Sequence, residues 1–392
     1  MAAETLLPTS RRWTRFMSTA AVDPTRISAV DTARGLAVIG MIAAHTLDLT
    51  DLTWSDPGHW YAVVSGRSSI LFAVLGGVSL ALLTGRTRPP SGPDLIAARL
   101  RVIVRACLLF LLGGILTATA PSAAVILEYY AVMFVLAVPL LTWRPHRLLL
   151  AAAIWASVTP VLVWRLLGAL PESASATGGI VSLGITGVYP AAIWVAFVLV
   201  GLAIGRSDLS AASTRKRLLL GGSAAALLGY GCAWLATWLW HPASYLAGDE
   251  SSLSGTSRPP NPGFTTLLNA EPHSGTTFEI VGSVGVAAAI LGALLHLPPV
   301  LHRIMLPLTA IGAMPLTVYA AHIVSLALWE PEDDPRFLLT SIVIAALFAL
   351  LWRRFLGRGP LEWVMFRVSA AAVRQTRDTP TANGEGRTAA AG

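Results

Sequence analysis

Charge is scarce in this sequence. Only 12% of its 392 residues are Asp, Glu, Lys or Arg, about half the share of an ordinary soluble domain. Hydrophobic residues make up 54% and the mean hydropathy is positive. That balance excludes a water-soluble globule and points to a polytopic membrane protein. Cysteine is nearly absent. Cys107 and Cys232 lie in apolar runs, are expected as small buried side chains, and leave no disulfide framework or metal cluster to build. Also missing are a glycine-rich phosphate loop, HExxH and GxSxG, so the common aqueous chemistries have no motif to rest on. No internal repeat and no second soluble domain is visible. The N-terminal stretches RRWTRF and DPTR lack an apolar core ahead of a cleavage site, and no removable signal peptide is expected. A formal charge of +7 reads here as loop charge of a membrane protein, and no nucleic-acid partner is expected.

What is present is a series of ten apolar runs, each near the length of about 20 residues that a spanning helix needs. They cover 27–47, 65–84, 95–118, 122–142, 148–170, 185–205, 218–240, 277–297, 304–329 and 337–356. The expected fold class is all-α, a bundle of about ten transmembrane helices with membrane lipid around it. Basic loops face the cytoplasm. With the N-terminus inside, GRTRPPSGPDLIAARLR, WRPHR, GRSDLSAASTRKR, LPPVLHR and WRRFLGR all fall inside. Of 28 basic residues only Arg67, Arg165, Arg258 and Arg336 break the pattern. Both termini are then cytoplasmic, in a multi-pass protein of the inner membrane. Residues 1–26 form a cytoplasmic segment and 27–356 the membrane domain. A Pro/Gly/Ser-rich outer loop covers 241–275, long enough to carry function. Residues 357–392 hold an interfacial amphipathic helix, PLEWVMFRVSAAAVR, and a disordered tail from 375.

The first run carries the most informative pair. Arg34 and His45, in DTARGLAVIGMIAAH, stand eleven positions apart. On a helix that is roughly 1100°, three turns plus about 20°, with a rise of about 16 Å. The two side chains share one face at different depths. Ionisable groups within a bilayer are costly and face a cavity or a partner. A cation at one depth and an imidazole at another suit a long donor with a charged head. Asp31 and Asp48 stand three residues from Arg34 and His45, close enough to pair on a helix. Asp48 would orient His45 as a general base. The plainer readings are a structural ion pair for Asp31 with Arg34 and a helix-packing role for His45.

Other polar residues interrupt the apolar runs. Arg67 opens the second run at the outer side, held by a carboxylate or a substrate, and His59 precedes it beside Trp60 and Tyr61. Gly76, Gly77 and Ser79 suit close helix packing. Arg99, Arg101 and Arg105 enter the third run from inside, either snorkelling to lipid or holding phosphates. Glu128, Tyr129 and Tyr130 interrupt the fourth. EPHSGTTFEIVGS brings His273 and Glu279 to the start of the eighth, and IGAMPLTVYAAHIVSL puts Thr317, Tyr319 and His322 at depth in the ninth. By this topology His45, His59, His273 and His322 converge on the outer half.

Arginine, ten residues, then histidine in a first membrane helix resembles the signature of the acyltransferase-3 family. The likeness runs through SILFAVLGGVSLAL, AARLRVIVR and GAMPLTVYAAH, where Gly312, Tyr319 and His322 keep that family's late spacing. Pro315 and Leu316 depart from it. RISAVDTARGLAVIGM is still closer to the heparan-α-glucosaminide N-acetyltransferase family, with Arg26, Asp31, Arg34 and Gly35 at the matching places, and the PHSGT and GRGPLEWVMFR elements resemble its bacterial members. The resemblance implies ten helices with both ends inside. It also implies acyl-CoA, most simply acetyl-CoA, taken from the cytoplasm, and an acyl group passed to an extracytoplasmic glycan or glycolipid. A histidine after the first helix is catalytic in that family. His59 is the nearest counterpart at a different spacing, which leaves it in competition with His45.

On this reading Arg34, with Asp31, Arg99, Arg101 and Arg105, holds the donor. His45, Asp48 and His59 carry the chemistry, while Arg67, His273, Tyr319, His322 and Glu128 meet the acceptor. No metal is expected. A secondary transporter or lipid flippase using the same groups as a proton relay is the alternative, and a scaffold binding envelope partners a third.

Overall fold

The computed structural model describes residues 27–47, 49, 57–169, 179–240 and 264–378, with only the backbone at 57–59, 61 and 375–378. Thirteen α-helices and no strand occur among them: α1 (Ser28–Thr46), α2 (Arg67–Leu83), α3 (Gly92–Thr119), α4 (Leu127–Ala137), α5 (Pro145–Ala169), α6 (Ala191–Arg206), α7 (Ala212–Trp240), α8 (Thr277–His296), α9 (Pro299–Ile304), α10 (Leu306–Ala313), α11 (Pro315–Trp329), α12 (Pro335–Phe355) and α13 (Pro360–Asp378). The all-α expectation holds. Six helices are long and apolar enough to cross a membrane, or seven if the bent pair α10 and α11 is one span. The differences from the ten expected runs are local. The fourth and sixth runs yield the shorter apolar helices Leu127–Leu140 and Ala191–Arg206. The ninth run is broken, with α10 and α11 meeting at 86°. Pro315 starts α11 and Met314 leaves helical geometry at φ −135°, ψ 54°, as a proline forces on the residue before it.

α1 is not among the six, because Asp31, Arg34 and its small residues make it less apolar. It needs no lipid. α2, α8, α10, α11 and α12 pack around it, and Ala33, Ala37 and Val38 are fully buried. α12 is the reverse, with Leu339, Ile344, Leu347 and Leu351 exposed as a lipid-facing helix requires. Cys107 and Cys232 are also exposed, on α3 and α7. That corrects the expectation of burial: hydropathy cannot tell core from lipid face when both are apolar.

Close backbone approach explains the glycines that matter. A Cβ at Gly312 of α10 would strike the Asp31 carbonyl of α1 and come within 2.5 Å of the Gly35 nitrogen. Gly77 of α2 and Gly201 of α6 meet in the same way, as the small residues of that run suggested. Proline's missing donor is covered too. Pro160 lies inside α5 and leaves the Ala156 carbonyl without its helical partner. Thr277 Oγ1 of α8 donates to that carbonyl at 2.8 Å. At the far end of α6, the buried Arg206 guanidinium donates to the carbonyls of Thr84, Arg86 and Leu141 and to Thr84 Oγ1. α13 lies against α3 and α11. The helix runs to Asp378, so the tail expected to be disordered from 375 starts helical, and 379–392 lie outside the described residues.

Candidate functional site

At its Asp31 end, α1 is tied into a closed polar network. Arg34 Nη1 donates to Asp31 Oδ1 at 2.7 Å and Nη2 to Ser79 Oγ of α2 at 2.8 Å. Asp31 is buried at 4% side-chain exposure and Arg34 retains 16%. The guanidinium therefore points into the bundle and away from lipid. Thr32 and Thr309 of α10 share a hydroxyl bond of 2.8 Å, and Arg353 of α12 reaches the Thr309 carbonyl.

At the other end of α1, His45 faces α11. Its ring lies parallel to that of His322, 6° between planes and 5.6 Å between centroids, and 6.4 Å from the Tyr319 ring. Tyr319 accepts from the Ile126 N–H at 3.3 Å. His322 is 5% exposed, and neither of its ring nitrogens has a hydrogen-bond partner among the described residues. His45 Nδ1 has none either. Buried polar atoms without partners are rare in native structures and mark strain, catalysis or a ligand. The buried hydroxyl of Tyr130, whose ring packs edge-on to Phe72 and Phe134, is another such atom.

The loop ahead of α8 closes this end. Thr276 caps the helix, accepting from the Glu279 N–H at 3.1 Å. The Glu279 carboxylate accepts in turn from the N–H groups of His273 and Gly275 and from Ser274 Oγ. The pattern is half of a T-x-x-E capping box, with the acid reaching past Thr276 to the turn before it. His273 is held at φ +63°. Its ring packs edge-on to Tyr189 and stacks on Trp194, with centroids 5.3 and 6.0 Å away. Burial pushes its pKa down to about 4, so the imidazole is neutral at physiological pH. Arg67 lies next to this loop and completes a crevice with Ser65, Tyr230, Ala270, Pro272, Glu279 and Ser283. Its Nε donates to the Tyr230 hydroxyl at 3.1 Å, which bonds Ser283 at 2.8 Å. The side chain is thus held by a tyrosine, with Glu279 across the crevice.

The sequence candidates do not all converge. Asp48 lies outside the described residues, and His59 sits in a 3-10 turn, Pro57–Val64, with its side chain outside them. Glu128 is turned to α3, where Thr117 Oγ1 donates to it at 3.0 Å and Gly113 packs on it. It is not part of the histidine group. Arg99, Arg101 and Arg105 enter at the Asp31 end. A cavity of about 260 Å³ opens there between Leu83–Gly85 and the first turns of α3, with Asp94 and Arg101 in its wall. Arg105 has Arg101 and Arg358 close enough to repel it, and the Nε atoms of Arg99 and Arg105 are buried without a partner among the described residues. Arg358, Tyr189, Trp194 and Glu362 were not singled out from sequence. Arg358 sat in a basic run that reads as ordinary inner charge, and an aromatic in an apolar run gives no sign of what it faces. Among the described residues no group of three or more His, Cys, Asp or Glu could hold a metal ion.

The histidines at the His45 end come from both halves of the chain, and comparison with known proteins covers residues 26–242. No curated protein matches the chain. A family model does, over residues 26–242. That segment contains α1 to α7 with Arg34, His45, His59, Arg67 and the α3 arginines, whereas His273, Tyr319 and His322 lie beyond it. A match across more than half of its length makes this helical, multi-pass membrane protein a member of the family described as heparan-alpha-glucosaminide N-acetyltransferase, catalytic.

Proposed function

We propose that the protein moves an acetyl group from cytoplasmic acetyl-CoA to a hydroxyl or amine of an extracytoplasmic glycan or glycolipid, across the inner membrane. One observation carries this reading: the parallel buried imidazoles of His45 and His322, with three ring nitrogens that have no partner among the described residues. Such atoms are available to a reacting group. The cluster of Arg101, Arg105 and Arg358, with Arg99, supplies positive charge for the donor's phosphates, and Arg34 of α1, whose direction Asp31 fixes, is a further cation. The Arg34-to-His45 rise of about 16 Å suits the reach of a pantetheine arm. Arg67, His273 and Tyr319 border the acceptor side.

In the direct route His45 takes the proton of the acceptor's O–H or N–H as the oxygen or nitrogen attacks the thioester carbonyl. The C–S bond then breaks, and the departing thiolate takes from His45 the proton that His45 accepted, so protons balance, while His322 stacked on it holds the imidazole in place. An acyl-histidine route uses the same residues, with His45 as nucleophile. Asp48 as the partner that orients His45, and His59 as the competing base, stay in the proposal on sequence grounds.

A transporter or flippase is the second reading, favoured by the 86° break between α10 and α11, since broken helices mark transport sites. Purified protein in detergent separates the two. Acetyl-CoA binding and thiol release are measured for wild type, Arg34→Ala, His45→Ala and His59→Ala. Arg34→Ala is expected to weaken binding, and His45→Ala to bind without releasing thiol. Absence of binding and release in wild type with any acyl-CoA overturns acyl transfer. A dead His59→Ala beside a normal His45→Ala moves the base to His59.

A further inference from the structure

The break in the ninth run leaves α11 as a half-helix whose first turn must find partners for its free N–H groups. A single side chain from a distant element supplies them. Glu362 of α13 accepts from the N–H groups of Leu316 and Thr317 with one oxygen, at 2.8 and 3.1 Å, and from Thr317 Oγ1 with the other, at 2.6 Å. The Leu361 N–H donates back to Thr317 Oγ1 at 3.2 Å. The corner between α12 and α13 is shaped for this approach. Gly357 takes φ +81°, and the Trp352 indole N–H holds the Arg358 carbonyl at 2.8 Å. A Cβ on Gly359 would strike the Glu362 carboxylate and come within 2.5 Å of Met314 at the break. A carboxylate at a helix N-terminus also meets the positive end of the helix dipole.

α11 carries Tyr319 and His322. No hydrogen bond fixes the His322 ring among the described residues, so its place opposite His45 depends on where α11 is seated. We infer that Glu362 is a positioning residue for the histidine pair. By clamping the first turn of α11 from the end of the bundle opposite His45, it sets the depth and tilt at which His322 meets His45. This rests on the acyl-transfer reading for the work the histidines do, and on geometry alone for the clamp.

The test uses the full chain in detergent micelles with ring-labelled histidine. The NMR signals of His45 and His322 are assigned by single substitution and compared among wild type, Glu362→Ala, Glu362→Gln, Thr317→Val and, as a control on the same helix, Arg374→Gln. Thiol release from acetyl-CoA is measured alongside. Glu362→Ala is expected to shift both ring signals and lower kcat about tenfold, equivalent to about 1.4 kcal/mol in the barrier, with KM for acetyl-CoA unchanged. Glu362→Gln keeps an acceptor oxygen for the two N–H groups and should recover most of both readouts. Arg374→Gln should change neither. Unmoved ring signals in Glu362→Ala overturn the inference, as does an equal kcat loss in the control. If Glu362→Ala does not fold, Thr317→Val must shift the same signals by a smaller amount, and unmoved signals there also overturn it. Should wild type release no thiol, acyl transfer fails while the ring signals still decide the clamp.

Discussion

The two ends of α1 are finished to different degrees. At the Asp31 end its buried polar groups close on one another: Arg34 on Asp31 and Ser79, and Thr32 on Thr309. At the other end His45 and His322 stack with ring nitrogens that have no partner among the described residues. A satisfied buried network rigidifies a bundle, whereas an unsatisfied one costs stability and persists where something else has use for it. On the proposed reading, the first end holds the scaffold and the donor and the second carries the proton chemistry, within one helix of 19 residues.

Substitutions can break that contrast. The largest effect is expected at the histidines. His45→Ala should lower acetyl transfer by about 10²–10⁴, the usual range for a lost acid or base, while leaving the thermal unfolding midpoint in detergent near wild type. A large stability loss with little kinetic change would reverse the assignment. Arg34→Ala should cost stability at its own end as well as weaken donor binding. It takes the Arg34 partner from a buried Asp31, and removing one side of a buried pair costs up to about 3–5 kcal/mol. The double substitution Asp31→Leu with Arg34→Met should recover much of that stability without recovering donor binding. Gly312→Ala comes next. Its Cβ meets the Asp31 carbonyl, and overpacking of this kind costs about 1–3 kcal/mol, read as a lower unfolding midpoint.

The smallest effect concerns pH. His273, in the loop ahead of α8, has its pKa pushed down to about 4 by burial, from 6.5. Unfolded chain therefore binds the proton first as pH falls. Stability conferred by the neutral ring is complete above about 6.5 and is lost progressively down to about 4. A His273→Gln variant should show a flatter fall of the unfolding midpoint across that window. Parallel curves for the two proteins would count against a buried neutral imidazole.

Much of this site could be read in advance because its residues violate a rule. Arg34 and His45 stand out as ionisable groups within an apolar run, and their spacing on a helix is arithmetic. His273 and Glu279 stand out as polar residues at the start of the eighth run. The contribution of α11 was half legible. Tyr319 and His322 were visible as polar residues at depth, but the 86° turn that swings them onto α1 was not expected, although Pro315 stands at its start. Glu128 looked equivalent to them in sequence and turned to α3 instead. The reason is common to all such errors. Apolar runs on both sides of a polar residue say that it lies at depth, but lipid and core are equally apolar, so hydropathy leaves its direction open.

The sequence by itself determined the material: an all-helical membrane chain, sparing in charge, with a cation and an imidazole in its first apolar run and basic residues in its connections. These follow from composition and periodicity, because water, lipid and the helix each impose a simple rule on residue type. Only the tertiary structure decided which polar groups meet. It turned Arg34 to Ser79, stacked His45 on His322 and brought Glu362 to the start of α11 from 45 residues away. Those pairings join distant segments through hydrogen bonds and close glycine contacts, whose geometry is fixed by packing of the whole bundle and leaves no local mark in the chain.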